Sequence, residues 1–411
     1  MSQFNVFEFR SHFPMLDGKK MQNEPLVFLD NASTTFKPIE VFDAIRQYYF
    51  EHTSNSHRGD YDLCYEMDQK VYETRTKVAQ FINARKPEEI VFTSGASMSL
   101  NIIAYGLMNE INEGDEIIID EAEHASNVLP WFRVAELKGA KIKYIPLSKE
   151  GRILASNLKE VITNKTKVVS IAHVTNVLGF ISESKEMAAI CHTFGAYFVL
   201  DGAQSVPHMK TDVIDLDCDF LVFSAHKMYG PTGLGVIYGK KELLDKMSPL
   251  LTGGGMNAKF LACGDVRYLS APERLEAGTL NLEGIYGLNA AIDFIEKYDI
   301  EKMNEYEKEL REYAIKRLKE LPNVIIYNEL AEAAIITINV KDIFAQDLST
   351  YLNSKGIATR SGQHCAKILI DHLHSLATVR ISLAPYNTKE EIDILIDALK
   401  GSGGFLDAYF A

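Results

Sequence analysis

The chain has 411 residues, 46% hydrophobic and 24% charged, the make-up of an ordinary globular protein with room for two or three domains of roughly 150 residues. Its formal net charge of −13 argues against nucleic acid or an anionic membrane as the main partner, because both demand a basic face. No apolar run approaches the roughly 18 residues of a bilayer span, and residues 1–14, with Glu8 and Arg10, lack the apolar stretch of a signal peptide, so a cytoplasmic location is expected.

In chain order, a short strand over 26–29 runs into the turn Asp30-Asn31-Ala32-Ser33, and 38–51 has helical spacing. Ser56-His57-Arg58-Gly59 reads as an exposed polar loop, followed by a helix over 61–83 and a strand over 90–92. Thr93-Ser94-Gly95-Ala96-Ser97 then opens a helix containing Leu100, Ile103 and Leu107. Such a turn aims free backbone N–H groups outward and suits an anion such as phosphate, although many helices start this way and bind nothing. Strands over 116–120, 141–145 and 168–173 alternate with helices, and they lead to Glu123-His124 and to Thr175-Asn176.

The stretch 197–238 is the most informative. One apolar run, Phe198-Val199-Leu200, ends on Asp201-Gly202-Ala203-Gln204, and a second, Phe220-Leu221-Val222-Phe223, ends on Ser224-Ala225-His226-Lys227. Gly230-Pro231-Thr232-Gly233 turns the chain into a third strand over 234–238. Strands alternating with helices of about a dozen residues predict an α/β fold with a mostly parallel, doubly covered sheet. Ligands sit outside the carboxyl ends of such strands. Here two strand ends present an acid and an amine together. A lysine that forms a Schiff base and an aspartate that holds a pyridinium nitrogen make the pattern of a pyridoxal 5'-phosphate (PLP) site. Taken singly, each would read as a surface lysine or a capping aspartate.

Beyond Gly253-Gly254-Gly255 the pattern changes to a loop at Glu276-Ala277-Gly278-Thr279, two long helices, and strands over 324–327, 334–340, 357–360 and 379–383, which suit a smaller α+β domain. Thr388 and Glu391 form a capping box for the last helix. No G-x-G-x-x-G follows the first strand, and 235–240 misses the P-loop spacing by one residue. His372 and His374 have no third ligand near them in sequence. The five cysteines are far apart and form no C-x-x-C pair, so no disulfide framework or zinc site is suggested; Cys64, Cys191, Cys218 and Cys263 read as small apolar fillers. Cys365 differs, lying in Arg360-Ser361-Gly362-Gln363-His364-Cys365-Ala366.

That segment, with Asp201-Gly202-Ala203-Gln204 and Ser224-Ala225-His226-Lys227, resembles the cysteine desulfurases of the SufS/CsdA type, within the class V aminotransferases, over nearly the whole chain. The resemblance implies PLP-dependent fold type I: an N-terminal segment (1–28) packing on the small domain, a PLP-binding domain (29–290) with a seven-stranded sheet, a small domain (291–401) carrying the cysteine loop, and a tail (402–411). It implies that Lys227 holds PLP and moves protons, that Asp201 pairs with the ring nitrogen, that His124 stacks on the ring and serves in acid–base steps, and that Gln204 bonds the ring hydroxyl. Ala96, Ser97, Ser224 and His226 would cradle the phosphate. Thr279 would reach the phosphate of a neighbouring subunit, so a homodimer is implied. Arg380 would clamp the substrate carboxylate with Asn176, and Arg58 and Arg360 are further candidates.

Cys365 would attack the sulfur of L-cysteine, giving alanine and a persulfide passed to a small acceptor protein for iron–sulfur or other thio-cofactor assembly. His364 or His124 would help it ionise. Selenocysteine lyase, acting on L-selenocysteine with the same residues, and a PLP-bound interaction protein without desulfurase activity are the alternatives. The sequence departs from the pattern at Met98, where relatives usually carry glutamate, at Ala96, where a threonine is common, and at Ala225, where glycine is usual. The reading requires the thiol of Cys365 to reach the cleft that holds Lys227.

Overall fold

The computed structural model describes residues 4–56 and 59–404; the candidate Arg58 and the tail from 405 onward lie outside them. The large sheet has seven strands: β1 (Ile90–Thr93), β2 (Glu116–Asp120), β3 (Lys141–Ile145), β4 (Thr166–Ala172), β5 (Tyr197–Asp201), β6 (Phe220–Ser224) and β7 (Gly235–Gly239). Their order is β1-β7-β6-β5-β4-β2-β3. Strands β2 to β6 run parallel, while β7 is antiparallel to both β6 and β1.

The apolar runs read from the sequence are continuous because both faces of this sheet are covered. Side chains alternate along each strand. Ile118, Phe198, Leu200, Leu221 and Phe223 enter one core, and Ile117, Ile119, Val199, Phe220 and Val222 enter the other. The carboxyl ends of β2, β4, β5 and β6 therefore lie along one edge, where the loops carrying His124, Asn176, Asp201 and Lys227 gather.

A second, antiparallel sheet holds β8 (Val324–Ile326), β9 (Ile335–Val340), β10 (Arg360–Gly362) and β11 (Thr378–Ser382) in the order β8-β9-β11-β10. Helices Ile300–Leu318, Ala345–Ser354 and Lys389–Lys400 share its core. The last of these has the expected capping box, with Thr388 Oγ1 accepting from Glu391 N.

Three details differ from the sequence reading. The strand expected over 357–360 is two: Ile357–Ala358 pairs in parallel with Val27–Phe28, and Arg360–Gly362 pairs with β11. A change of pairing partner within four residues leaves no periodic signal. The hairpin of Asn257–Phe260 and Val266–Tyr268 was not anticipated, because its residues are largely exposed and lack a buried stripe. Cys263, at its tip, is exposed and not a filler, whereas Cys64, Cys191 and Cys218 are buried.

Candidate active site

The loops at the sheet edge enclose a cavity of about 260 Å³. Lys227, Asp201, His124, Gln204, Ser224, His226, Ala96, Ser97, Asn176, Arg360, Arg380 and Cys365 all line it. Thr279 does not; it is exposed in a loop outside the cavity.

Lys227 follows β6 on a single 3-10 turn, Ala225–Lys227. The preceding peptide is held firmly: the His226 carbonyl accepts from Thr35 N at 3.1 Å, Thr34 Oγ1 at 3.0 Å and Lys37 Nζ at 3.0 Å. Burial pushes the Lys227 ammonium down to about 8; Asp201 opposes this, while Arg380 and Arg360 add to it. Asp201 ends β5, and its Oδ1 accepts from Ala203 N at 2.9 Å. Burial raises its pKa, and that backbone donor and Lys227 work to keep it charged.

Helix Ala96–Gly106 points its N-terminus into the cavity from the end of β1. The Ala96 N–H donates to Ser224 Oγ at 2.7 Å, and Ser97 Oγ bonds Ser126 Oγ at 2.6 Å. The approach is tight enough to dictate glycine: a Cβ on Gly235 would lie 2.4 Å from Gly95 Cα. Helix-start N–H groups and the positive end of the helix dipole suit an anion here.

His124 sits above the carboxyl end of β2. Its Nδ1 accepts from Ser126 N at 3.1 Å, which leaves the ring proton on Nε2. Burial, with Lys227, Arg360 and Arg380 nearby, pushes it down to about 4, so the ring is neutral at pH 7. Gln204 donates to Ala32 O at 2.8 Å, and His226 Nδ1 lies 3.2 Å from Thr34 Oγ1.

The arginines approach from the second sheet. Arg380, in β11, is almost wholly buried and donates to Asn176 O at 2.9 Å, Asp30 Oδ1 at 3.0 Å and Ser33 Oγ at 2.9 Å. Arg360, in β10 beside it, donates to the same Ser33 Oγ at 3.0 Å. Asp30 and Ser33 were missed as site residues. Their only signal was a strand end at 29, and what they hold comes from more than 300 residues downstream.

Cys365 is exposed on a loop pinned from three sides. Its carbonyl accepts from Ala125 N at 2.7 Å, the His364 carbonyl accepts from Asn176 Nδ2 at 2.9 Å, and Ala366 N donates to Gln363 O at 2.8 Å. His364 and Cys365 both have φ in the left-handed region, at 52° and 59°. Non-glycine residues adopt it at a cost, and functional loops often do. The expectation that His364 helps ionise the thiol does not survive the geometry. Burial pushes His364 down to about 3, and its Nε2 faces Thr378 O and Oγ1 at 3.1 and 2.9 Å. The cation beside the thiol is Arg360, with Nη2 3.8 Å from Sγ. Elsewhere, His372 faces Glu121 at 3.7 Å, and no group of three metal ligands occurs among the described residues.

The class V aminotransferase family model matches residues 27–395. The chain belongs to the class V aminotransferase family. This class V aminotransferase is 44% identical over 398 residues to a probable cysteine desulfurase of Halalkalibacterium halodurans, covering 96% of this chain and 97% of the relative. It is also similar to the crystal structure of the Escherichia coli cysteine desulfurase CsdA, with TM-score 0.90 and 36% identity over 98% of this chain and 99% of that one. A Thermococcus onnurineus cysteine desulfurase structure, apo, matches with TM-score 0.91 and 35% identity over 98% of both chains. Those full-length matches carry the expected fold type I architecture with them.

Proposed function

We propose that this class V aminotransferase is a PLP-dependent L-cysteine desulfurase that converts cysteine to alanine and takes the sulfur as a persulfide on Cys365. The observation that carries the reading is the presence of the Cys365 thiol in the same cavity as Lys227, beside Arg360.

The residues present fit the cofactor. Lys227 offers an amine whose burial favours the neutral, nucleophilic form, Asp201 a buried carboxylate at the neighbouring strand end, and the helix at Ala96 a cradle for phosphate. When bound, PLP supplies an electron sink that labilises bonds around the substrate's α-carbon. Lys227 would hold it covalently and carry protons, Asp201 would face the ring nitrogen, and Ala96, Ser97, Ser224 and His226 would hold the phosphate, with Gln204 at the ring hydroxyl. Alanine at 96 removes a possible hydroxyl donor but keeps the backbone N–H groups of the helix start. His124, neutral with its proton on Nε2, is set to hand over or take up a proton at that atom.

Arg380 and Asn176 would receive the substrate carboxylate. The guanidinium is anchored by Asp30 and Ser33, so its planar fork is fixed before substrate arrives. Cys365 would attack the substrate sulfur as thiolate. The S–S bond forms as the substrate's C–S bond breaks, that electron pair stays with the carbon, and protonation there completes alanine.

The persulfide would pass to a small acceptor protein for iron–sulfur or other thio-cofactor assembly. Exposed Phe42, Tyr49, Phe50, Tyr61 and Tyr65 support a homodimer, in which Thr279 would reach the partner's cavity. Among the described residues no helix is long and apolar enough to cross a membrane. We place the enzyme in the cytoplasm. Mass spectrometry after incubation with L-cysteine should find one extra sulfur on Cys365; an unmodified thiol alongside released alanine would overturn the assignment. Measuring alanine from L-selenocysteine in parallel sets the substrate preference.

A further inference from the structure

The carboxyl end of β2 places two acids in the interior that the chemistry above leaves unused. Asp120 is wholly buried and Glu123 is 2% exposed. Each has one oxygen accounted for: Asp120 Oδ1 accepts from Ala122 N at 2.7 Å, and Glu123 Oε2 accepts from His124 N at 3.1 Å. The other two, Asp120 Oδ2 and Glu123 Oε1, are buried without a partner. The two acids lie close enough for each to act on the other's ionisation. An ionised carboxyl offers acceptors only, so these two oxygens can satisfy one another only with a proton between them. Two bare anions in the interior would each forfeit hydration and repel the other.

We propose that Asp120 and Glu123 share one proton, carried by Glu123, and that the protonated Glu123 is a positioning residue of the cofactor site. It places no second anion against Asp201 and holds the peptide of His124. This rests on the reading that Asp201 and His124 face the cofactor.

The surroundings favour Glu123 as the proton's holder. Burial raises it well above the ordinary carboxyl range, and Asp120 and Asp201 add to this. The Asn127 amide opposes; Asn127 Oδ1 is taken by Trp131 Nε1 at 3.1 Å and Ser170 Oγ at 2.6 Å, and its buried Nδ2 has no hydrogen-bond partner. Asp120 is raised to about 6 by burial, with Glu121 adding to the rise. The charged neighbour of Asp201 from β6 is Lys227, and His173, at the end of β4, is buried and pushed down to about 4, hence neutral. An ionised Glu123 would join burial in driving a proton onto Asp201. The carboxylate needed at the ring nitrogen therefore depends on its neighbour staying neutral.

The test starts with cofactor-free protein at pH 7. Infrared difference spectroscopy between wild type and Glu123→Gln should reveal the carbonyl stretch of a protonated carboxylic acid in wild type alone. Glutamine reproduces the neutral acid, with an N–H for Asp120 and a carbonyl for His124 N. Glu123→Gln should therefore bind PLP within about twofold of wild type, and the pH titration of the bound cofactor's visible band should not move. Glu123→Ala, which lacks both groups, should weaken PLP binding by about tenfold, the worth of one buried hydrogen bond. Absence of the carboxylic acid band, or a titration displaced by about one pH unit in Glu123→Gln as removal of a buried charge would cause, overturns the proposal. Should the alanine variant fail to fold, the infrared band and the glutamine titration decide alone. The band in a protein without desulfurase activity would leave the shared proton standing and remove the function; its absence in an active enzyme would do the reverse.

Discussion

Arg360 Nη2 lies 3.8 Å from Cys365 Sγ, and Arg360 Nη1 is fixed by Ser33 Oγ at 3.0 Å. The guanidinium is thereby held beside the thiol by a residue from the far end of the chain. Arg380 donates to the same hydroxyl, so both guanidinium groups and the thiol line one cavity. Replacing Arg360 with glutamine removes a planar cation suited to a carboxylate from that wall. The KM for L-cysteine in alanine production should rise about tenfold, the worth of one hydrogen bond to a charged group. An unchanged KM would mean the arginine serves the cavity in some other way.

Cys365→Ala should bind PLP with the same visible absorbance as wild type, because no cofactor-facing group changes. Alanine production from L-cysteine should be lost. A spectrum altered by this substitution would place the thiol against the cofactor itself instead of at the substrate's sulfur.

Lys227 has a native pKa of about 8, below its unfolded value, so the unfolded chain binds more proton between about pH 8 and 10.5. Stability of the cofactor-free protein should rise with pH through that window on account of this residue. At pH 7, where the buried ammonium is charged, Lys227→Met should stabilise the cofactor-free fold by about 1–3 kcal/mol in urea unfolding, at 1.4 kcal/mol per pKa unit. The gain should shrink as the pH approaches 10. The same variant should show none of the visible absorbance of lysine-bound PLP.

Arg75 and Glu276 form a buried two-pronged pair, with Nη1–Oε1 2.8 Å and Nη2–Oε2 2.9 Å, and Glu276 Oε1 also accepts from Phe92 N at 2.7 Å. The pair ties β1 to the loop that carries Thr279. Arg75→Met would leave the carboxylate buried without its cation and should destabilise by about 3–5 kcal/mol. Thermal unfolding of the variant against wild type measures this; a loss below about 1 kcal/mol would show that water reaches the carboxylate.

The residues that belong to strands were legible because burial on both faces writes itself as continuous apolar runs. Phe198-Val199-Leu200 and Phe220-Leu221-Val222-Phe223 announce the sheet, and the residues that follow them, Asp201 and Lys227, sit at its carboxyl edge by construction. The R-S-G-Q-H-C-A segment marked Cys365 as unlike the other cysteines. Asp30 and Ser33 were illegible as partners of Arg360 and Arg380, since a short turn carries no mark of what folds over it.

The sequence by itself thus determined the layered α/β architecture and the chemical inventory of the cavity, because period, strand-end position and residue type are local properties. Only the tertiary structure decided the charge state and company of each group. It made His364 a neutral, buried ring turned toward Thr378, gave Cys365 Arg360 for a neighbour, and set Asp120 against Glu123. Ionisation depends on burial and on charges brought close from distant parts of the chain, and neither exists until the chain has folded.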